Sequence, residues 1–232
     1  MLRAIIFDFD GIIVNSEPLI LTLTQEMAAQ EGWTLTEDEY YHKYLALDDR
    51  GIVDNLFESH GRPVDPARRE ELIEWKARAY MDAIQDGLPS FPDAEDFIHK
   101  RAAEFPLAIA SGSLRVEIEH LLEKFGLRDK FKVLVTADDV TRSKPDPEVF
   151  VKALATLGKV AFDPKVVQGP LRASECLVIE DAAAGVDAAH AAGMKCMALA
   201  HSLPLDVLGH AEWVFDNFGE VDFEAIRSAF VD

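Results

Sequence analysis

Two aspartates separated by one residue follow a short apolar run near the start of the chain: Ala4-Ile5-Ile6-Phe7, then Asp8-Phe9-Asp10-Gly11. Alternate side chains of an extended backbone leave on the same face, so both carboxylates can reach one centre. The pattern equally suits an Asp-rich turn closing a strand, with Gly11 supplying a positive φ. Three further constellations follow similar apolar runs. Ser111-Gly112-Ser113 offers a hydroxyl and backbone N–H groups to an anion at a strand-to-helix turn. Alternatively, Ser113 is only an N-cap, with Glu117 in the early turns of its helix. Lys144 stands in Thr141-Arg142-Ser143-Lys144-Pro145-Asp146-Pro147, a segment stiffened by two prolines. Its ammonium can neutralise a phosphate or a pair of carboxylates, or it can be an ordinary solvated lysine. Glu180-Asp181 precedes Ala182-Ala183-Ala184-Gly185, small residues that let a helix approach closely. Carboxylates gathered at one surface repel unless a cation joins them. All-oxygen ligation suits a hard ion, Mg²⁺ above all if a substrate phosphate completes the shell. A helix cap without metal is the alternative.

The elements that must position these residues alternate between apolar β-rich runs and helical patterns. Strands are expected over residues 3–7, 107–110, 133–136, 177–179 and 195–200, with a weaker one at 213–215. Helices fall near 93–104, 114–125, 147–157, 183–192 and 222–230. This alternation predicts an α/β fold, a doubly wound parallel sheet covered on both faces. Ligands of such sheets bind outside the carboxyl ends of the strands, which is where all four constellations fall in turn. Each alone is ambiguous; together they make one site. Residues 17–86 break the rhythm with three helix-like segments near 17–31, 36–59 and 66–86 and no convincing strand. Thr36-Glu37-Asp38-Glu39 has the form of a capping box, and Gly87-Leu88-Pro89 returns the chain to the alternating pattern. An inserted helical domain over residues 16–88, in a core of 1–15 and 89–232, is expected. The alternative packs these helices on the same sheet. Residues 158–174 form a long, weakly periodic excursion of no evident purpose.

Composition narrows the partners. The 232 residues carry 23 Lys and Arg against 42 Asp and Glu, a net charge of −19. Nucleic acids and anionic membranes need clustered cations, so neither is an expected partner. No apolar run approaches the roughly 20 residues of a membrane span, and the N-terminus has no secretory pattern. Cys176 and Cys196 adjoin apolar runs and are expected to be buried free thiols, which suits a cytoplasmic, reducing location. A monomer is the default.

Asp8-Phe9-Asp10-Gly11, with Val14-Asn15-Ser16-Glu17-Pro18 after it, resembles the first motif of the haloacid dehalogenase-like hydrolases. Ser111 resembles their second motif, Lys144 within Ser-Lys-Pro-Asp-Pro the third, and Ile179-Glu180-Asp181-Ala182 with Gly185 the fourth. The likeness spans nearly the whole chain, with the four motifs in order. It implies an α-helical cap over residues 17–86, as in the subgroup of phosphoglycolate phosphatases, sugar-phosphate phosphatases and β-phosphoglucomutase. It also implies roles. Asp8 would be the nucleophile forming an aspartyl-phosphate and would bind Mg²⁺. Asp10 would protonate the leaving oxygen and then activate water, its backbone carbonyl on the metal. Ser111, with Gly112 beside it, and Lys144 would hold the phosphoryl oxygens; Asp181 would ligate the metal with Glu180 in support. A small phosphorylated substrate follows. Dehalogenases of the family lack a second acid like Asp10, so that activity is not expected.

Cap residues give further expectations. Tyr44-Leu45-Ala46-Leu47-Asp48-Asp49-Arg50-Gly51 resembles the loop that faces the active site in the subgroup. Arg50 is then the candidate for gripping the far end of a substrate, or else it pairs with Asp48 or Asp49. His42 and Lys43 are weaker candidates nearby. Ala46 replaces a frequent Gly and Asp93 another. Ile20 stands where mutase relatives carry a His that orients the second acid, which lowers a mutase reading. The cap is expected to pivot at Asn15 and Ser16 and at residues 88–91.

Overall fold

The computed structural model describes residues 1–45, 47–160 and 169–230. Six parallel strands run in the order β3-β2-β1-β4-β5-β6. They are β1 (Ala4–Phe7), β2 (Leu107–Ala110), β3 (Phe131–Val135), β4 (Cys176–Glu180), β5 (Lys195–Leu199) and β6 (Trp213–Phe215). Every residue of β1, β2 and β4 is buried, as strands covered on both faces must be. Alternate positions serve two cores. Ile5, Phe7, Leu107, Ile109, Leu177 and Ile179 pack under α5 (Ala94–Ala102), α6 (Arg115–Lys124) and α9 (Phe223–Ser228). Ala4, Ile6, Ala108, Ala110 and Val178 pack under α7 (Glu148–Val160) and α8 (Ala183–Ala191). The expected doubly wound α/β sheet is therefore present, with strand bounds shifted by a residue or two.

Between β1 and α5 lie four helices: α1 (Glu17–Gln30), α2 (Glu37–Lys43), α3 (Asp49–Ser59) and α4 (Pro66–Ala83). They bury a core of their own, including Met27, Tyr40, Ile52, Val53, Leu56 and Leu72. The single helix expected over 36–59 is two. Thr36 starts α2 with a reciprocal capping box to Glu39. Asp48 then restarts the chain by accepting the Gly51 N–H at 2.8 Å, capping α3. Ala46 lies outside the described residues, as do 161–168 within the expected excursion. The two chain crossings into this helical unit hold each other: Val14 bridges Ser90, and Asn15 N–H donates to Pro89 O at 3.0 Å.

Cys176 and Cys196 are buried and free. Among the described residues no helix is long and apolar enough to cross a membrane.

Candidate active site

β1 is central, and the sheet order reverses beside it, with β2 on one side and β4 on the other. That reversal opens a crevice at the strand ends. Phe7 is in register with Ile179, and Asp8 N–H donates to Ile179 O at 2.9 Å. Asp8 therefore emerges next to Glu180 and Asp181. One oxygen from each of these three buried carboxyls lies within 4.8 Å of the others. The expected meeting of Asp8 and Asp181 is thus realised.

Lys144 is wedged into this acidic group, 3.0 Å from Asp8 Oδ2 and 2.5 Å from Glu180 Oε1. It follows β3 on a loop whose Lys144–Pro145 peptide is cis. The alternative of a solvated lysine is excluded by its burial. Burial alone would pull this ammonium down, but Asp8 and Glu180 outweigh it and hold it above the usual lysine value. Asp8 is raised from 3.8 to about 7 by burial and by Glu180, against the lowering pull of Lys144. Burial, then Glu180 and Asp8, raise Asp181 well above the carboxylate range. Glu180 engages both oxygens: Oε1 with Lys144, Oε2 with the N–H groups of Asp181 and Ala182 at 3.1 and 3.3 Å.

Asp10 is held by serine hydroxyls rather than by this acidic group. Its Oδ1 accepts from Ser16 Oγ at 2.5 Å, and its Oδ2 accepts from Ser113 Oγ, with Ser111 Oγ at 3.5 Å. Burial raises Asp10, and the Ser113 and Ser16 hydrogen bonds oppose it. Its side chain is not part of the three-carboxyl group, so any share in a metal site falls to its backbone carbonyl. Ser113 is not the N-cap of α6. Leu114 occupies that position, and Glu117 accepts the Leu114 N–H at 2.9 Å. Ser111 Oγ accepts the Ser113 N–H at 3.0 Å, which turns the loop at Gly112 toward the cap near Asp48.

A cavity of about 470 Å³ opens above these groups, between the sheet and the four helices. Arg50, in the first turn of α3, lines it and forms no ion pair among the described residues. The pairing of Arg50 with its neighbours is therefore absent: Asp49 binds Lys76, and Asp48 caps α3. His42 and Lys43 turn to Asp38 and Glu39 on α2 and do not line the cavity. Several cavity residues gave no signal in the sequence. Buried Lys76 comes from α4, and Tyr40 of α2 donates to Glu17 at 2.8 Å. Glu117 is pushed up to about 8, mainly by burial and by Asp49. Helical periodicity marks such positions as core-facing without saying that the core there is a cavity. His201 and Ser202, just past β5, also reach the centre. Inspecting the polar residues after every strand, β5 included, finds them.

The donor set fits a hard divalent cation. Asp8 Oδ1 is buried with no hydrogen-bond partner among the described residues, beside a carboxyl of Asp181. An anionic oxygen in that state calls for a cation. Oxygen ligands alone are what Mg²⁺ prefers.

Comparison with known proteins agrees with this geometry. The sequence profile of the haloacid dehalogenase-like hydrolases matches residues 5–199. A phosphorylated carbohydrates phosphatase of Thermotoga maritima is 28% identical over 204 residues, 87% of this chain and 87% of its own length. Protein SUPPRESSOR OF QUENCHING 1, chloroplastic, of Arabidopsis thaliana is 29% identical over 239 residues, where this chain spans about a fifth (21%) of that protein's length. The solved β-phosphoglucomutase of Clostridium difficile superposes with a TM-score of 0.83 at 21% identity, covering 99% of this chain and 97% of that one, which shows the shared fold. With the profile running from β1 to the end of β5, across every strand end that contributes to the crevice, this chain belongs to the haloacid dehalogenase-like hydrolase family.

Proposed function

We propose that this protein is a Mg²⁺-dependent phosphatase that hydrolyses a small phosphorylated metabolite, of sugar-phosphate or phosphoglycolate type, through an aspartyl-phosphate on Asp8. The observation that carries this reading is the convergence of Asp8, Asp181 and Lys144 at the sheet's reversal, with Asp8 Oδ1 unpartnered among the described residues. Phosphatase names among relatives at 28% identity support the same chemistry.

Asp8, Asp181 and the Asp10 backbone carbonyl would hold the metal, with Glu180 supporting from behind. When bound, Mg²⁺ supplies the positive charge that lets a carboxylate approach an anionic phosphate. Asp8 attacks phosphorus, and the ester bond to the departing alcohol breaks. Asp10, whose carboxyl burial raises above its ordinary value against the Ser113 and Ser16 hydrogen bonds, gives a proton to that leaving oxygen. It then takes a proton from water as the water attacks phosphorus. That second step releases inorganic phosphate and restores Asp8. Ser16 and Ser113 fix the Asp10 carboxyl between its two tasks. Lys144, Ser111 and the Gly112 turn hold the phosphoryl oxygens, the lysine neutralising their charge. Arg50 grips the far end of the substrate, where a guanidinium suits an anionic or hydroxylated group.

Residues 16–88 act as a cap that closes over the substrate. Its pivots are Asn15 and Ser16 on one crossing and residues 88–91 on the other. Ile20 lines the cavity and has no proton or hydrogen bond to give Asp10, which favours transfer to water over return to a bound sugar.

A panel of phosphorylated metabolites with Mg²⁺, scored for inorganic phosphate, tests the reading with Asp8→Asn as the blank. We expect release that EDTA abolishes and that Asp8→Asn lowers by about 10³-fold or more. Equal background rates for both proteins would turn the reading to a non-catalytic binder. Isomerisation with no phosphate released would make the protein a mutase.

A further inference from the structure

The residues just past β5 have no part in the steps above, yet they reach the same centre. β5 ends at Leu199, and His201 and Ser202 then turn back over the loop that carries Asp10 and Gly11. Ser202 Oγ donates a hydrogen bond to Asp181 Oδ2, the one hydrogen bond this carboxylate receives among the described residues.

The hydroxyl is held in place by its neighbours. His201 Nδ1 donates to Gly11 O at 2.8 Å, which fixes the tautomer because a carbonyl can only accept. The same ring stacks on Phe91 with centroids 3.9 Å apart and planes 11° apart. Gly11 leaves the room: its φ is +71°, and a Cβ there would sit 1.8 Å from Asp181 Oδ2 and 2.8 Å from Ser202 Oγ. Three groups from three strand ends thus share one small space, which only a missing side chain permits.

We infer that Ser202 is a positioning residue for the metal: its hydroxyl occupies Asp181 Oδ2 and so leaves the other carboxylate oxygen to the cation. The inference rests on the reading of Asp181 as a metal ligand. A carboxylate free to rotate about its last bond offers either oxygen, or both, to an ion that accepts only near-octahedral geometry. A fixed donor on one oxygen removes that freedom before the ion arrives. Partners of this kind typically contribute 10- to 100-fold to metal affinity.

Mg²⁺ binding to the intact protein without substrate, followed by titration calorimetry, tests this on Ser202→Ala, Ser202→Thr and Ser202→Cys. We expect Ser202→Ala to weaken binding about tenfold or more, with an unchanged thermal midpoint in EDTA. Ser202→Thr, which keeps the hydroxyl, should stay within about twofold of wild type. Ser202→Cys preserves the shape with a much weaker donor and should lose affinity as the alanine variant does, so it decides the matter if Ser202→Ala unfolds. Wild-type affinity in a folded Ser202→Ala or Ser202→Cys protein would overturn the role of Ser202 and leave the metal-dependent reading standing. Absence of Mg²⁺ binding by the wild-type protein would instead sink that reading itself.

Discussion

Lys144 carries its charge between Asp8 and Glu180 because Glu180 is itself held from behind by two backbone N–H groups. The space for Glu180 exists only because residue 185 has no side chain. A Cβ on Gly185 would lie 2.0–2.2 Å from the Glu180 carboxyl atoms. Gly185→Ala must therefore push that carboxylate off Lys144. Breaking one partner out of a buried ion pair costs about 3–5 kcal/mol. We expect Gly185→Ala to lose roughly 3 kcal/mol in denaturant unfolding and most of its phosphate release. Gly158→Ala, whose Cβ would meet nothing closer than 4.0 Å among the described residues, serves as the control and should be neutral or slightly stabilising. Equal unfolding midpoints for Gly185→Ala and wild type would show that Glu180 does not depend on this space.

At the scale of elements, the connection from the cap back to the sheet passes through Asp93 at φ +63°, a left-handed conformation. Asp93 precedes α5 yet makes no side-chain cap to it. Gly adopts such a φ without a Cβ penalty, and an L-residue does not. The strain of an L-residue there is about 1 kcal/mol, partly offset by the greater chain entropy that glycine loses on folding. Asp93→Gly is therefore expected to stabilise the protein by about 0.5 kcal/mol, read as a higher thermal midpoint with turnover unchanged. A fall in the midpoint would mean that the Asp93 side chain contributes more than its backbone costs. The α2–α3 break shows the limit of periodicity in the cap. Residues 36–59 repeat with a helical period, but the Asp48 cap bond restarts the helix in a new direction and sets Arg50 against the cavity.

For the molecule as a whole, acidity and burial act in the same direction. Glu17 is raised from 4.5 to about 7 and Glu117 from 4.5 to about 8, each chiefly by burial. A carboxyl whose folded-state value lies above its unfolded one favours the folded protein when protonated. That contribution is complete below about pH 4.5 and is lost as pH rises through 7 and 8. The −19 net charge adds self-repulsion over the same range. The protein in EDTA should therefore melt at a lower temperature at pH 9 than at pH 6. Glu117→Gln, which still accepts the Leu114 N–H but has no charge to bury, should flatten the decline. A slope unaltered by that substitution would assign the effect to other groups.

The sequence by itself determined the alternation of strands and helices, the helical insertion after the first strand, and the four constellations at the strand ends. It could do so because each of these is local: a period of apolar residues, or a motif within ten residues, marks them without knowledge of the partner. The Thr36 capping box is legible for the same reason, whereas Arg50 stands out only through the resemblance of its loop to that of the family. What only the tertiary structure decided is what meets what across the sheet's reversal. Register between β1 and β4 sets Asp8 beside Asp181. Folding of the cap brings buried Lys76 and Tyr40 over the site, and the turn after β5 delivers Ser202 to Asp181. Contacts between residues 21 to 190 positions apart leave no periodic trace. They exist only once parallel strands are in register and a glycine at position 11 lets three loops converge.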